Sequence, residues 1–132
     1  MSKLFYRNLD AQLKFFDGAP MFMNQQDQGV RADFTTVHDG TKIVQIKHRP
    51  ALIRLALADL LTAPTEEKIG FEEKDSRYKM AKKIAAGGII GLSQAELATI
   101  VSLVQKIPNL LLVGQLMEAL EEDVNPPDGV SE

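Results

Sequence analysis

The chain has no cysteine. That excludes disulfides, thiol nucleophiles and zinc–thiolate sites, and it fits a reducing compartment. Only two histidines are present, His38 and His48, and their spacing matches neither H-x-x-x-H nor H-E-x-x-H. Both read as surface residues, and no metal site is expected from them. Long apolar runs are missing too: stretches such as Leu110–Val113 fall far short of the roughly 20 residues that cross a bilayer. No membrane association is expected. The start, MSKLFYRNLD, lacks a long apolar stretch and a small-residue cleavage site, so no secretory leader is expected.

Catalytic signatures are missing as well. There is no G-x-S-x-G elbow, and Ser93 is better placed to cap a helix than to act as a nucleophile. Gly87-Gly88-Ile89-Ile90-Gly91 lacks the Gly-Lys-Ser/Thr ending of a phosphate loop and reads as a helix stop followed by an interhelical loop. Tyr78–Leu103 has the outline of a helix–loop–helix calcium hand, but Ile89-Ile90-Gly91-Leu92 offers no carboxylates to an ion. The pairs Glu66/Glu67, Glu72/Glu73 and Glu121/Glu122 are adjacent, and neighbours on a helix point in different directions. No catalytic residue, cofactor or metal ligand is expected, and the chain reads as non-enzymatic.

What is present suits a small globular protein. The 132 residues are 45% hydrophobic and 25% charged, with a net charge of −3. One α+β domain over residues 1–123 is expected, with a flexible acidic tail over 124–132. Charge is uneven. Met1–Leu61 holds 8 basic and 6 acidic residues, whereas Ser93–Glu132 holds 1 basic against 7 acidic. The net charge argues against general nucleic-acid binding, and the acidic third could orient self-association or steer a basic partner.

Turn signals dominate the N-terminal third. Asp17-Gly18 predicts a hairpin between Leu13–Phe16 and Met21–Met23, and Asp39-Gly40 predicts a second between Phe34–Val37 and Lys42–Ile46. Asn24–Gly29 reads as a polar loop between them. Four helices follow, over 51–61, 72–86, 93–107 and 109–122. Pro50 opens the first at a position needing no amide proton, and Ala63-Pro64 closes it before a linker over 65–71. The second runs from Glu72, Glu73 and Asp75 to Lys79, Lys82 and Lys83, in the sense the helix dipole favours. Its apolar stripe is Tyr78, Ala81, Ile84 and Ala85, and Gly87-Gly88 stops it. Ser93-Gln94-Ala95-Glu96 is a capping box for the third, and Pro108 ends it. The fourth carries Val113, Leu116, Met117 and Leu120 on one face; Gly114 inside it suggests close approach of a neighbouring helix.

Two surfaces stand out. Ala51–Leu61 and Leu110–Met117 carry more apolar surface than one small core hides, and an aromatic–methionine cluster lies near Phe15. The candidate partner contacts are Phe16, Phe22, Met23, Leu112 and Leu116. The candidate basic face is Arg77, Lys79, Lys82 and Lys83, with acids just upstream.

Three stretches carry a resemblance: RYKMAKKI at Arg77–Ile84, LSQAELATIVSLVQKI at Leu92–Ile107 and LLVGQLMEAL at Leu111–Leu120. They resemble a group of small bacteriophage proteins that join a short β segment with an Asp-Gly turn to a helical half containing a Val-Val-Gly-Gln helix. Gln-Ala-Glu after the serine and a longer N-terminal half depart from that pattern. The resemblance implies a phage or prophage origin, residence in the host cytoplasm or the virion, and no particular activity. The expected role is non-catalytic protein–protein interaction, in virion assembly or as a structural accessory, with a partner that is a second copy or another phage protein. The alternatives are an acidic regulator that inhibits a host enzyme or transcription factor, and nucleic-acid binding through the basic face.

Overall fold

The computed structural model describes residues 3–26, 28–63 and 68–126. Pro64 as a helix stop, the first part of the linker, the Glu66/Glu67 pair and the tail beyond residue 126 lie outside them. The elements in chain order are β1 (Leu4–Asn8), β2 (Phe22–Met23), β3 (Gly29–Val30), β4 (Phe34–Asp39), β5 (Lys42–Lys47), β6 (Arg49–Pro50), α1 (Ile53–Thr62), α2 (Phe71–Ala85), β7 (Ile89–Ser93), α3 (Gln94–Val104) and α4 (Leu110–Glu121). The fold is α+β, with four helices and short antiparallel strands. It divides into two compact units, one from Met1–Ala11 with Ile53–Glu132, the other Gln12–Leu52.

The first unit packs the four helices with the two-stranded sheet β1–β7. Each helix buries one narrow stripe: Ile53, Leu57 and Leu61 on α1; Met80, Ala81 and Ile84 on α2; Ile100 and Val104 on α3; Leu116 and Leu120 on α4. Tyr6, Leu9, Ile90 and Leu92 join this core. Tyr78, placed by sequence in the α2 stripe, is exposed; Met80, nearly opposite it on the helix, joins the buried stripe instead.

Ile89–Ser93 corrects the reading of this stretch as an interhelical loop. Gly87 and Gly88 do end α2, with φ of +82° and +80°. The chain then extends and pairs antiparallel with β1, Phe5 opposite Leu92 and Arg7 opposite Ile90. Two β-branched residues in a row favour a strand once a partner exists, and the partner is the N-terminal strand. Gly91 lies opposite Tyr6; a Cβ there would sit 3.1 Å from Leu4 Cδ1 and 3.2 Å from Tyr6 Cε1, so the glycine makes room for both side chains.

Arg7 is buried, 4% exposed, on β1. Its Nε donates to the carbonyl of Leu120 at the end of α4. Its Nη1 donates to the Tyr6 carbonyl at 2.9 Å and to Asp123 Oδ1 at 2.7 Å. A second arginine, Arg54 on α1, donates to the Ala85 carbonyl and lies 3.5 Å from Asp10. Asp10 in turn accepts from the Gly88 amide with both oxygens, at 3.0 and 3.1 Å. Each arginine therefore closes a helix C-terminus whose last carbonyls have no partner within the helix.

The α3 start matches its sequence signal: Glu96 N donates to Ser93 Oγ at 3.1 Å, and Ser93 N donates to Glu96 Oε1 at 3.0 Å. The helix ends at Val104, three residues before the expected Ile107; Lys106 and Ile107 donate three residues back, tightening the last turn ahead of Pro108. Asn109 Oδ1 then caps α4 by accepting from Leu111 and Leu112.

The second unit contains a three-stranded sheet, β3–β2–β6, and the separate β4–β5 hairpin. The Asp17-Gly18 turn forms as expected, with Gly18 at φ +86° and donating to Phe15. Its strands are less regular than expected: Lys14 and Pro20 form an isolated bridge. Pro50 does not open a helix. It lies in β6, opposite Phe22, and Ala51 beyond it donates to Met21 and accepts from Leu13. Those bonds hold the chain extended until Ile53, and the missing N–H of Pro50 is tolerated on a short edge strand.

Glu96 gives a pH prediction. Burial works to raise its pKa, but the Ser93 amide and the Lys83 ammonium outweigh it and hold the carboxyl below its ordinary 4.5. Because the folded value is depressed, this stability is present above pH 4.5 and is lost as pH falls through the folded value. Urea unfolding across that range should show Glu96→Gln flattening the acid loss, and Ser93→Ala should cost about 1 kcal/mol at neutral pH. Arg7→Met strands the Leu120 carbonyl, while the Tyr6 carbonyl keeps the Val124 amide, and should cost about 1–3 kcal/mol in the same assay.

Candidate functional site

The β4–β5 hairpin has an unusual surface. Asp39 pairs with Lys42 across a two-residue turn, with Gly40 at φ +64°, and the register continues to Phe34 opposite Lys47. Phe34 and Ile43 therefore lie on one face, and Val37, Val44 and Ile46 on the other. All but Ile46 are exposed, Ile43 at 67%. Among the described residues neither strand pairs with a third, so both edges are open. The base is held by His48. Its Nδ1 lies 2.8 Å from the Ala32 carbonyl and its Nε2 2.8 Å from Thr35 Oγ1. A carbonyl only accepts, so Nδ1 carries a proton. His38, by contrast, is exposed on β4.

The expected contact residues are dispersed. Phe16 is 88% exposed at the tip of the Phe15–Ala19 turn. Arg31 braces that turn, pairing with Asp17 at 2.7 Å while its guanidinium lies 4.4 Å from the centre of the Phe15 ring. The Ala19 amide, then Arg31, hold the Asp17 carboxyl below its usual range. Phe22 and Met23 are half-buried in β2, and Leu112 is half-buried on α4. Leu116 corrects the reading: at 2% exposed it belongs to the core of the first unit and is closed to a partner. The exposed apolar residue on α4 is Leu110, at 83%. Gly114 is a second correction, because among the described residues no atom outside its own helix backbone and chain neighbours lies within 4 Å of where its Cβ would be, so no described helix approaches it.

The basic face is largely neutralised within the chain. Arg77 pairs with Glu73 at 3.0 Å, Lys79 with Asp75 at 2.9 Å, and Lys83 with Glu96 at 3.2 Å while donating to the Gly91 carbonyl. Lys82 lies 5.6 Å from the centre of the Tyr78 ring. Phosphate contact would have to displace these partners.

Two further features bear on chemistry. Asn8, Asp10, Ala11, Glu122 and Val124 line an open cleft of about 480 Å³ in the first unit, but its Asp10 is already engaged by Gly88 and Arg54. Among the described residues no three His, Asp or Glu side chains converge as metal ligands would, and no helix is long and apolar enough to cross a membrane.

Reading by local pattern missed the hairpin residues Phe34, Val37, Ile43 and Val44. The signal was present: apolar residues fall on both faces of the Asp39-Gly40 hairpin, which a two-stranded ribbon with one buried face does not require. No known protein family, curated protein or solved structure matches the chain.

The exposed positions carry a stability prediction. Ile43→Thr combined with Val44→Thr should shift the unfolding free energy by no more than about 0.5 kcal/mol per site, because little is buried there. A loss of several kcal/mol in chemical denaturation would mean that the hairpin is covered in the folded chain.

Proposed function

We propose that the chain is a non-catalytic protein–protein interaction component of a bacteriophage, acting in virion assembly or as a structural accessory. One observation carries the interaction reading: the β4–β5 hairpin exposes Phe34, Val37, Ile43 and Val44 on a ribbon with two unpaired edges. An isolated two-stranded hairpin is marginally stable in water, and apolar surface of this kind is ordinarily matched by a partner. The phage part rests on the resemblance of Arg77–Ile84, Leu92–Ile107 and Leu111–Leu120 to small phage proteins. The partner is a second copy or another phage protein.

A second reading has its own observation. Glu118, Glu121 and Glu122 are exposed on and just after the last turns of α4. On that reading the acids cover a basic surface of a host enzyme or transcription factor. Nucleic-acid binding is the weakest of the three, given the ion pairs of Arg77, Lys79 and Lys83.

Affinity purification of the tagged chain from phage-infected cells separates these. Assembly predicts co-purification with virion proteins, weakened by Ile43→Thr with Val44→Thr and little changed by salt. Inhibition predicts one host protein, released as ionic strength rises. Recovery of nucleic acid alone would sink both.

A further inference from the structure

The exposed face of α4 carries an apolar stripe with a glycine in it. Residues 110, 113, 114 and 117 follow helical i, i+3, i+4, i+7 spacing, so Leu110, Val113, Gly114 and Met117 form one stripe. Leu110 and Gly114 are exposed, and Val113 and Met117 are half-buried. The buried residues Leu116 and Leu120 lie to one side of it. Gly114 sits in mid-helix, where glycine weakens a helix relative to alanine, yet nothing among the described residues occupies the space its missing Cβ leaves open.

The charges say what fits there. α4 has no acidic residue in its first turn and no basic residue in its last. Its acids, Glu118 and Glu121, with Glu122 and Asp123 beyond, gather at the C-terminal end, where the helix dipole is itself negative. Arg7 neutralises Asp123; the exposed Glu118, Glu121 and Glu122 have no such cation among the ion pairs described above. An antiparallel helix of the same sequence resolves the mismatch. With a two-fold axis at Gly114, a rise of about 1.5 Å per residue puts the acidic end of each helix beside the acid-free N-terminus of the other. A parallel pair would instead bring all the acids together.

We infer that two copies of the chain associate through α4, antiparallel and crossing at Gly114, with Leu110, Val113 and Met117 around the crossing. This deepens the interaction reading above by naming the second copy as the partner for this helix. The contact is small, since one helix pair covers less than the roughly 1,200–2,000 Å² of a standard interface, and the dimer is a reversible one.

Because the chain lacks cysteine, a single introduced thiol reports on the contact cleanly. Gly114→Cys should form a disulfide-linked dimer under mild oxidation, and Lys79→Cys, also exposed but on α2, should not. Sedimentation from about 1 µM to 1 mM should show a monomer–dimer equilibrium for the unaltered chain. Gly114→Leu and Glu121→Lys should each weaken it about tenfold or more, while leaving the monomer at least as resistant to urea as before. Both changes favour the isolated helix, so loss of dimer cannot be ascribed to loss of fold. A strict monomer, equal cross-linking at residues 79 and 114, or a dimer unmoved by both substitutions would overturn the inference. A dimer dissolved only by Ile43→Thr with Val44→Thr would overturn it while leaving the hairpin reading intact; capture of virion proteins by a strictly monomeric chain would do the same.

Discussion

The first unit depends on one buried cation. Arg7 has lost nearly all its water, and a lone guanidinium could not stay in such a place. Three oxygens replace the water: the carbonyls of Tyr6 and Leu120 and the Asp123 carboxylate. They come from β1, the last turn of α4 and the segment after it, so a single side chain joins the N-terminal strand to the last helix. On the same face of the sheet Arg7 lies opposite Ile90, so the β1–β7 pairing sets the buried Ile90 beside this join. Val124 then donates to the Tyr6 carbonyl at 3.2 Å, continuing the same join.

Arg54 repeats the device at α2. It meets the Ala85 carbonyl, and Asp10 spans from it to the Gly88 amide. Two positive-φ glycines end the helix, but glycines alone leave the direction of the exit open. The Asp10 carboxylate, fixed between a guanidinium and a backbone amide, orients the exit into β7. Sequence signals near Gly87 and Gly88 locate the stop, whereas the direction afterwards comes from residues far away in the chain.

That contrast explains what could be read in advance. The Ser93–Glu96 box, the dipole-matched ends of α2 and the Asp-Gly turns are local signals, and each was legible. The β1–β7 sheet was not, because Ile89-Ile90 becomes a strand only when Leu4–Asn8 lies beside it. Pro50 misled for the same reason: the bonds of Ala51 to Met21 and Leu13 keep the chain extended against a local preference for helix. Leu112 and Leu116 were both read as partner contacts, although Leu116 also falls on the apolar face expected from Val113 to Leu120. Only packing separated buried Leu116 from exposed Leu110.

The exposed surfaces that remain differ in kind. The β4–β5 hairpin carries Lys42 and Lys47 near the ends of β5, charges that discourage indiscriminate edge pairing, and its apolar residues stand on its faces. Such a ribbon suits a partner that covers faces more than one that adds a strand. Helix α4 has the opposite problem, with too many charges of one sign at the wrong end of its dipole. Those acids cost stability in the isolated helix, and among the ion pairs of the described residues an arginine meets Asp123 but not Glu118, Glu121 or Glu122. A helix that keeps an exposed glycine and a misplaced acidic end is poorly optimised as a solitary surface. Both defects become complementary features when the same helix is turned end for end and laid against itself.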